Sequence, residues 1–135
     1  MSSLEEAHKV IHDEGMKELR KIFGDAVVNK EMSNASDFMR AGHELATEAA
    51  FGFIWTRPGL SHKHRSLICI SILGALGKQD QLVAHVIGAL NNGLTEEELK
   101  EVLLQVIVYC GVPAGVEAFK SADAAVQKWK ALNDK

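Results

Sequence analysis

Four glycines divide this chain. Gly24, Gly77, Gly93 and Gly111 each close a stretch whose apolar residues recur at intervals of three and four, the spacing that aligns side chains on one helix face. Glycine is a natural stop there, because the left-handed conformation that ends a helix costs it little. Start signals fall between the stops. Ser33 or Ser36, Ser61 and Thr95 can each accept an orphan N–H, and Pro113 suits a first helical turn. Thr95-Glu96-Glu97-Glu98 has the form of a capping box, in which Glu98 reaches back to the start of its helix.

These signals predict helices over 4–23, from the Ser33–Ser36 region to about Phe53, 61–76, 78–92, 95–110 and from Pro113 onward, with 25–32 as a connector. The first should turn Leu4, Ala7, Ile11, Leu19, Ile22 and Phe23 inward, and the second Phe38, Leu45, Ala49 and Phe53. Leu67-Ile68-Cys69-Ile70-Ser71-Ile72-Leu73 is apolar almost all round, so it reads as a central, fully buried helix. A buried strand would fit that run too, but its helical neighbours and the Gly74-Ala75-Leu76 continuation favour helix. Leu99, Val102, Leu103, Val106 and Ile107 form the inner face of the fifth helix, and Val116, Phe119, Ala122, Val126 and Trp129 that of the sixth. Strand alternation, low complexity and linkers are absent from the sequence. The expectation is an all-α single domain over 1–135, of about six helices. Its apolar faces exceed what 135 residues cover alone, which points to a homo-oligomer.

With 47% apolar residues and two prolines, the chain has the makings of a packed core. A formal charge of −3 offers no basic field for nucleic acid. The first residues lack the apolar stretch of a secretory signal, and no apolar run reaches the ~18 residues of a membrane span. A soluble cytoplasmic protein is therefore expected. Cys69 and Cys110 each follow apolar neighbours and make no Cys-x-x-Cys pair, so both read as small buried hydrophobes.

The chemistry concentrates in residues 55–66. Arg57, His62, Lys63, His64 and Arg65 gather where a loop meets a helix start, an end already positive from its aligned peptide dipoles. A bound anion would offset that repulsion; a solvated basic turn is the other reading. Trp55, just before the turn, can wall a pocket or pack in the core. On the following helix Lys78, Gln81, Leu82, His85, Ala89 and Asn92 share a face by spacing. His85 has apolar neighbours and is either a proton donor or acceptor, or a core histidine with satisfied nitrogens. His8 and His12 have a zinc-compatible spacing, yet no carboxylate and histidine complete a metal set; His43 is isolated.

Taken together, Gly15–Gly24, Trp55-Thr56-Arg57-Pro58-Gly59-Leu60, Arg65-Ser66-Leu67, Ala75-Leu76-Gly77, His85, Ala89–Gly93, the Thr95 box and Tyr109–Ala114 resemble the carboxymuconolactone decarboxylase family. The resemblance implies an alkylhydroperoxidase-D-like helical fold in trimers or hexamers. It also implies loss of CO2 from a small carboxylated lactone, γ-carboxymuconolactone, without cofactor or metal. Carried onto this sequence, it makes His85 the proton donor, with Arg57 and Arg65 holding carboxylates. Trp55, Ser66, Lys78 and Gln81 become candidate substrate contacts.

The resemblance also brings rivals. An alkylhydroperoxidase D uses a Cys-x-x-Cys pair before its histidine and a relay glutamate; Lys78, Gln81 and Ser66 occupy those positions here, so a thiol peroxidase lacks its nucleophile. A non-catalytic oligomer, or a decarboxylase of another activated lactone or keto acid, is the remaining alternative.

Overall fold

The computed structural model describes residues 1–134. Among them there are seven α-helices and one π-helical segment, with no strand. The architecture is all-α as expected, with one helix more than the sequence pattern suggested. The contacts fall into two compact units, Met1–Leu60 and Ser61–Lys135.

In the first unit α1 spans Ser3–Phe23, opened by a Ser2–Glu5 capping box. Gly24 ends it, its N–H donating to the Arg20 carbonyl at 2.9 Å. The predicted connector is instead a helix, α2 (Asp25–Asn34). The Arg20 guanidinium explains this, donating to Asp25 at 3.1 Å and to Asn29 at 3.0 Å and so tying α2 to α1. Val28 is the one residue α2 buries, too sparse a stripe to be seen as periodicity.

Ser36 caps α3 (Asp37–Ala46), accepting the Met39 N–H at 3.2 Å. The chain then widens into a π-helix over Thr47–Ile54. This segment lies at backbone contact with α1: a Cβ on Gly15 would collide with the Thr47 carbonyl oxygen, and one on Gly52 with the Ile11 carbonyl oxygen. His8 Nδ1 and Glu48 Oε2, 2.8 Å apart, also link the two. The expected inward set is wrong here. Phe38 is 92% exposed, and Leu45, Ala49 and Phe53 are exposed as well. Leu4 and Ala7 on α1 are also exposed, Ile11 is 36% exposed with its Cγ2 against Gly52, Ile22 is buried, and Leu19 and Phe23 are half-buried.

The second unit contains α4 (His62–Leu76), α5 (Gln79–Asn91), α6 (Glu96–Cys110) and α7 (Val112–Asn133). Its core joins Ile70 from α4, Leu82 and Val86 from α5, Leu103 from α6 and Ala118 and Ala122 from α7. Close packing is arranged through small residues. The Cβ position of Gly74 lies 3.3 Å from Ala118 Cβ, and that of Gly115 only 2.6 Å from Ile107 Cα.

The predicted boundaries hold well in this unit. Ser61 and Thr95 cap their helices, Pro113 lies in the first turn of α7, and Gly77, Gly93 and Gly111 have positive φ, as Gly24 does in the first unit. The α6 face buries as expected, but Val116 on α7 is exposed. So is Cys110, against the expectation of a buried thiol, while Cys69 is half-buried. The helix expected to be central and enclosed is two-sided. Ser66, Ile70 and Gly74 of α4 are buried, whereas Ile68, Ile72 and Leu76 form an exposed apolar stripe on the opposite face.

Candidate functional site

The basic cluster does fall on a helix start. His62, Lys63, His64 and Arg65 make up the first turn of α4, with no acidic residue among them. The orphan N–H groups and the Lys63 and Arg65 side chains make this end locally positive. The Ser61 hydroxyl satisfies one amide, accepting from His64 N–H at 3.1 Å. Lys63 meets Glu98 Oε2 at 2.6 Å, so the start of α6 supplies one of the missing negative charges.

Arg65, the last residue of that α4 turn, is partly buried, with its Nε enclosed by protein. Ser66, next to it, is buried. One turn further, the Cys69 thiol is pushed up by burial, with the Arg65 charge pulling the other way. A thiol held protonated is a poor nucleophile.

His85 sits at a border on α5. Leu82 and Ala89, which share its face by spacing, are in the core, while Lys78, Gln81 and Asn92 on the same row are exposed. The imidazole is half-buried with Nδ1 enclosed, and burial pushes its pKa below the usual histidine value. A neutral imidazole at pH 7 follows, one that a nearby anion would draw back toward its charged form. Lys78 is in part a backbone device: its N–H donates to the Leu73 carbonyl at 3.0 Å and its carbonyl accepts from Leu82 N–H at 2.9 Å, joining α4 to α5.

Trp55 and Arg57 belong to the first unit, at the outlet of the π-helix. Trp55 is 5% exposed and stacks on Phe51 with centroids 6.1 Å apart; Phe51 in turn meets Phe23 edge-on. The Trp55 ring thus belongs to an aromatic cluster within the first unit. Arg57 is exposed, its N–H donating to the Ile54 carbonyl at 3.1 Å.

The family model for the carboxymuconolactone decarboxylase family matches residues 41–124, a span that holds Arg57, Arg65 and His85. The chain belongs to the carboxymuconolactone decarboxylase family. Two curated relatives agree. A nitrosuccinic acid decarboxylase of Metarhizium robertsii is 41% identical over 84% of this chain and 80% of its own length. A 4-carboxymuconolactone decarboxylase of Acinetobacter baylyi is 36% identical over 83% of this chain and 84% of its own. Both are decarboxylases, and this family member is accordingly a carboxy-lyase.

A groove of about 310 Å³ runs between α6 and α7 over Leu99, Leu103, Phe119 and Val126; none of the sequence-predicted site residues lines it. Among the described residues no group of three or more His, Cys, Asp or Glu side chains could hold a metal ion, and no helix is long and apolar enough to cross a membrane. Sequence reasoning missed the π-helix that leads into Trp55 and Arg57. The only local hint was Gly52 between two phenylalanines, which fits an α-helix equally well.

Proposed function

We propose that this protein decarboxylates a small dicarboxylate whose departing carboxyl lies beside a built-in electron sink, with γ-carboxymuconolactone as the leading substrate. The observation that carries this is that two decarboxylases named for different acids resemble the chain over more than four-fifths of its length. What those acids share defines the class. In the carboxylated lactone the electron pair left by CO2 spreads through the unsaturated ring to the carbonyl, as a furanolate-like dienolate. In nitrosuccinic acid it would move onto the nitro group as a nitronate. Either way the substrate supplies the sink, so pyridoxal, thiamine or a metal is not needed for the electrons. Protonation at carbon then completes the reaction.

In this reading Arg57 holds the carboxylate that stays, because a guanidinium fork matches a carboxylate. Arg65 and the amides at the start of α4 steady the end where negative charge develops. His85 delivers the proton. The enzyme-bound dianion raises the imidazole's depressed pKa, so the group becomes a competent acid only when substrate is present. Ser66, Lys78, Gln81 and Trp55 are the candidate secondary contacts.

Nitrosuccinate is the second reading, favoured by the 41% identity. Incubating the purified protein with each acid and measuring CO2 release separates the two. Adding a chelator tests the cofactor-free step: a chelator-sensitive rate would contradict it.

The working form is a cytoplasmic homo-oligomer, trimer or hexamer. Two apolar surfaces of the second unit support the assembly: Ile68, Ile72 and Leu76 on α4, and Val108, Tyr109 and Val112 where α6 turns into α7. Exposed patches of this kind are unusual on a monomer.

A further inference from the structure

The π-helix at Thr47–Ile54 crosses α1 at backbone contact, and its register has a consequence. Gly15 meets the Thr47 carbonyl and Gly52 meets the Ile11 carbonyl, a reciprocal arrangement in which each helix offers a glycine to the other's backbone. No side chain fits between them, so the segment is held at a fixed distance from α1. The consequence lies at the outlet. In the wider turn Trp55 N–H donates to the Ala50 carbonyl, five residues back, at 2.9 Å. Each residue added to a helical turn rotates everything downstream, so this register decides the direction in which the 55–57 turn leaves.

Three contacts then pin that turn. The Trp55 ring stacks on Phe51, 23° from parallel. The Thr56 hydroxyl donates to the Gly52 carbonyl at 2.6 Å. The Arg57 amide closes on Ile54. Gly52 therefore serves twice: its missing side chain admits α1, and its carbonyl receives Thr56. Side-chain bonding of this kind to a carbonyl four residues back commonly bends or loosens a helix, which is the distortion a π turn needs.

We infer that Gly52 and Thr56 are positioning residues for Arg57, setting the direction of its guanidinium through the π-helical register. This rests on the reading of Arg57 as a carboxylate-binding residue. Neither residue touches the reacting atoms; both act through Arg57.

Gly52→Ala drives the π-helix into α1 and can abolish folding, so Thr56 carries the test. Steady-state kinetics are measured for wild type, Thr56→Val, Thr56→Ser and Arg57→Ala on whichever of γ-carboxymuconolactone or nitrosuccinate the wild type turns over. Thr56→Val keeps shape and removes the donor; it should raise KM about tenfold with kcat within about twofold, the scale of one lost hydrogen bond. Thr56→Ser restores the hydroxyl and should return KM to the wild-type value. A Thr56→Val enzyme with unchanged KM, or a Thr56→Ser enzyme that shows no rescue, overturns the inference while a raised KM in Arg57→Ala leaves the carboxylate-binding reading standing. An unchanged KM in Arg57→Ala overturns that reading and the positioning role with it.

Discussion

Lys63 Nζ lies 2.6 Å from Glu98 Oε2 and joins the first turns of α4 and α6. The other carboxylate oxygen of Glu98 accepts from the Thr95 amide at 3.1 Å and from its hydroxyl at 3.0 Å. One carboxylate thus completes the cap of its own helix and answers the basic start of another. The Lys63 contact, then the Thr95 amide, hold its carboxyl below the ordinary glutamate value.

The sign of the resulting pH effect follows from that direction. A carboxyl with a depressed folded pKa contributes stability above its ordinary range, and loses it as pH falls through the depressed value. Glu98→Gln should therefore melt below wild type at pH 7, and the two melting curves should converge in acid. The gap should also narrow at high salt, since the pair is exposed. Thermal melts at several pH values check both.

Gly115 offers a sharper stability test. Its Cβ position lies 2.6 Å from Ile107 Cα, where α7 crosses α6. Backbone cannot retreat as a flexible side chain would, so Gly115→Ala should cost at least the ~1–3 kcal/mol typical of overpacking. Gly42→Ala, with open space around its Cβ position, should be neutral or slightly stabilising through helix propensity. Urea unfolding of the two variants makes the comparison.

His85 should titrate abnormally. Burial lowers its pKa, so its ring proton should shift in NMR titrations at a pH below the usual histidine value. Adding a dicarboxylate such as succinate should move the midpoint upward, because an adjacent anion favours imidazolium. By the same logic kcat/KM should fall as pH rises through the free enzyme's low value, while kcat falls only at higher pH. A midpoint indifferent to the anion would separate His85 from the substrate.

The exposed stripe on α4 predicts assembly. Ile72 is 51% exposed between Ile68 and Leu76. Wild type should elute as a trimer or hexamer in light-scattering chromatography, and Ile72→Glu should shift it toward smaller species by placing a charge in an apolar contact. A wild-type monomer would refute the assembly proposal.

Much of the fold was legible because helix ends are written locally. Ser61, Thr95 with Glu98, Gly77, Gly93 and Gly111 with Pro113 mark boundaries through the chemistry of orphan amides and carbonyls, which needs no distant partner. Features set by tertiary contact were not legible. The helix over Asp25–Asn34 is tied to α1 by Arg20 reaching Asp25 and Asn29, and the π-helix packs on α1 at Gly52. The outward turn of Phe38, Leu45 and Phe53 shows that periodicity reveals an apolar face without revealing what covers it. For the site, the α4 cluster and the half-buried His85 could be read from the chain, since one follows from a cap and the other from apolar neighbours. The π-helical register behind Arg57 could not.

The account depends most on His85 as the proton donor. CO2 release from γ-carboxymuconolactone and from nitrosuccinate should be measured for wild type and His85→Ala, with circular dichroism confirming that both fold. The account predicts that wild type turns over at least one of the two acids, and that His85→Ala loses ~100- to 10,000-fold in kcat on it, the range for removing a placed general acid. A folded His85→Ala enzyme that releases CO2 at close to the wild-type rate would contradict it.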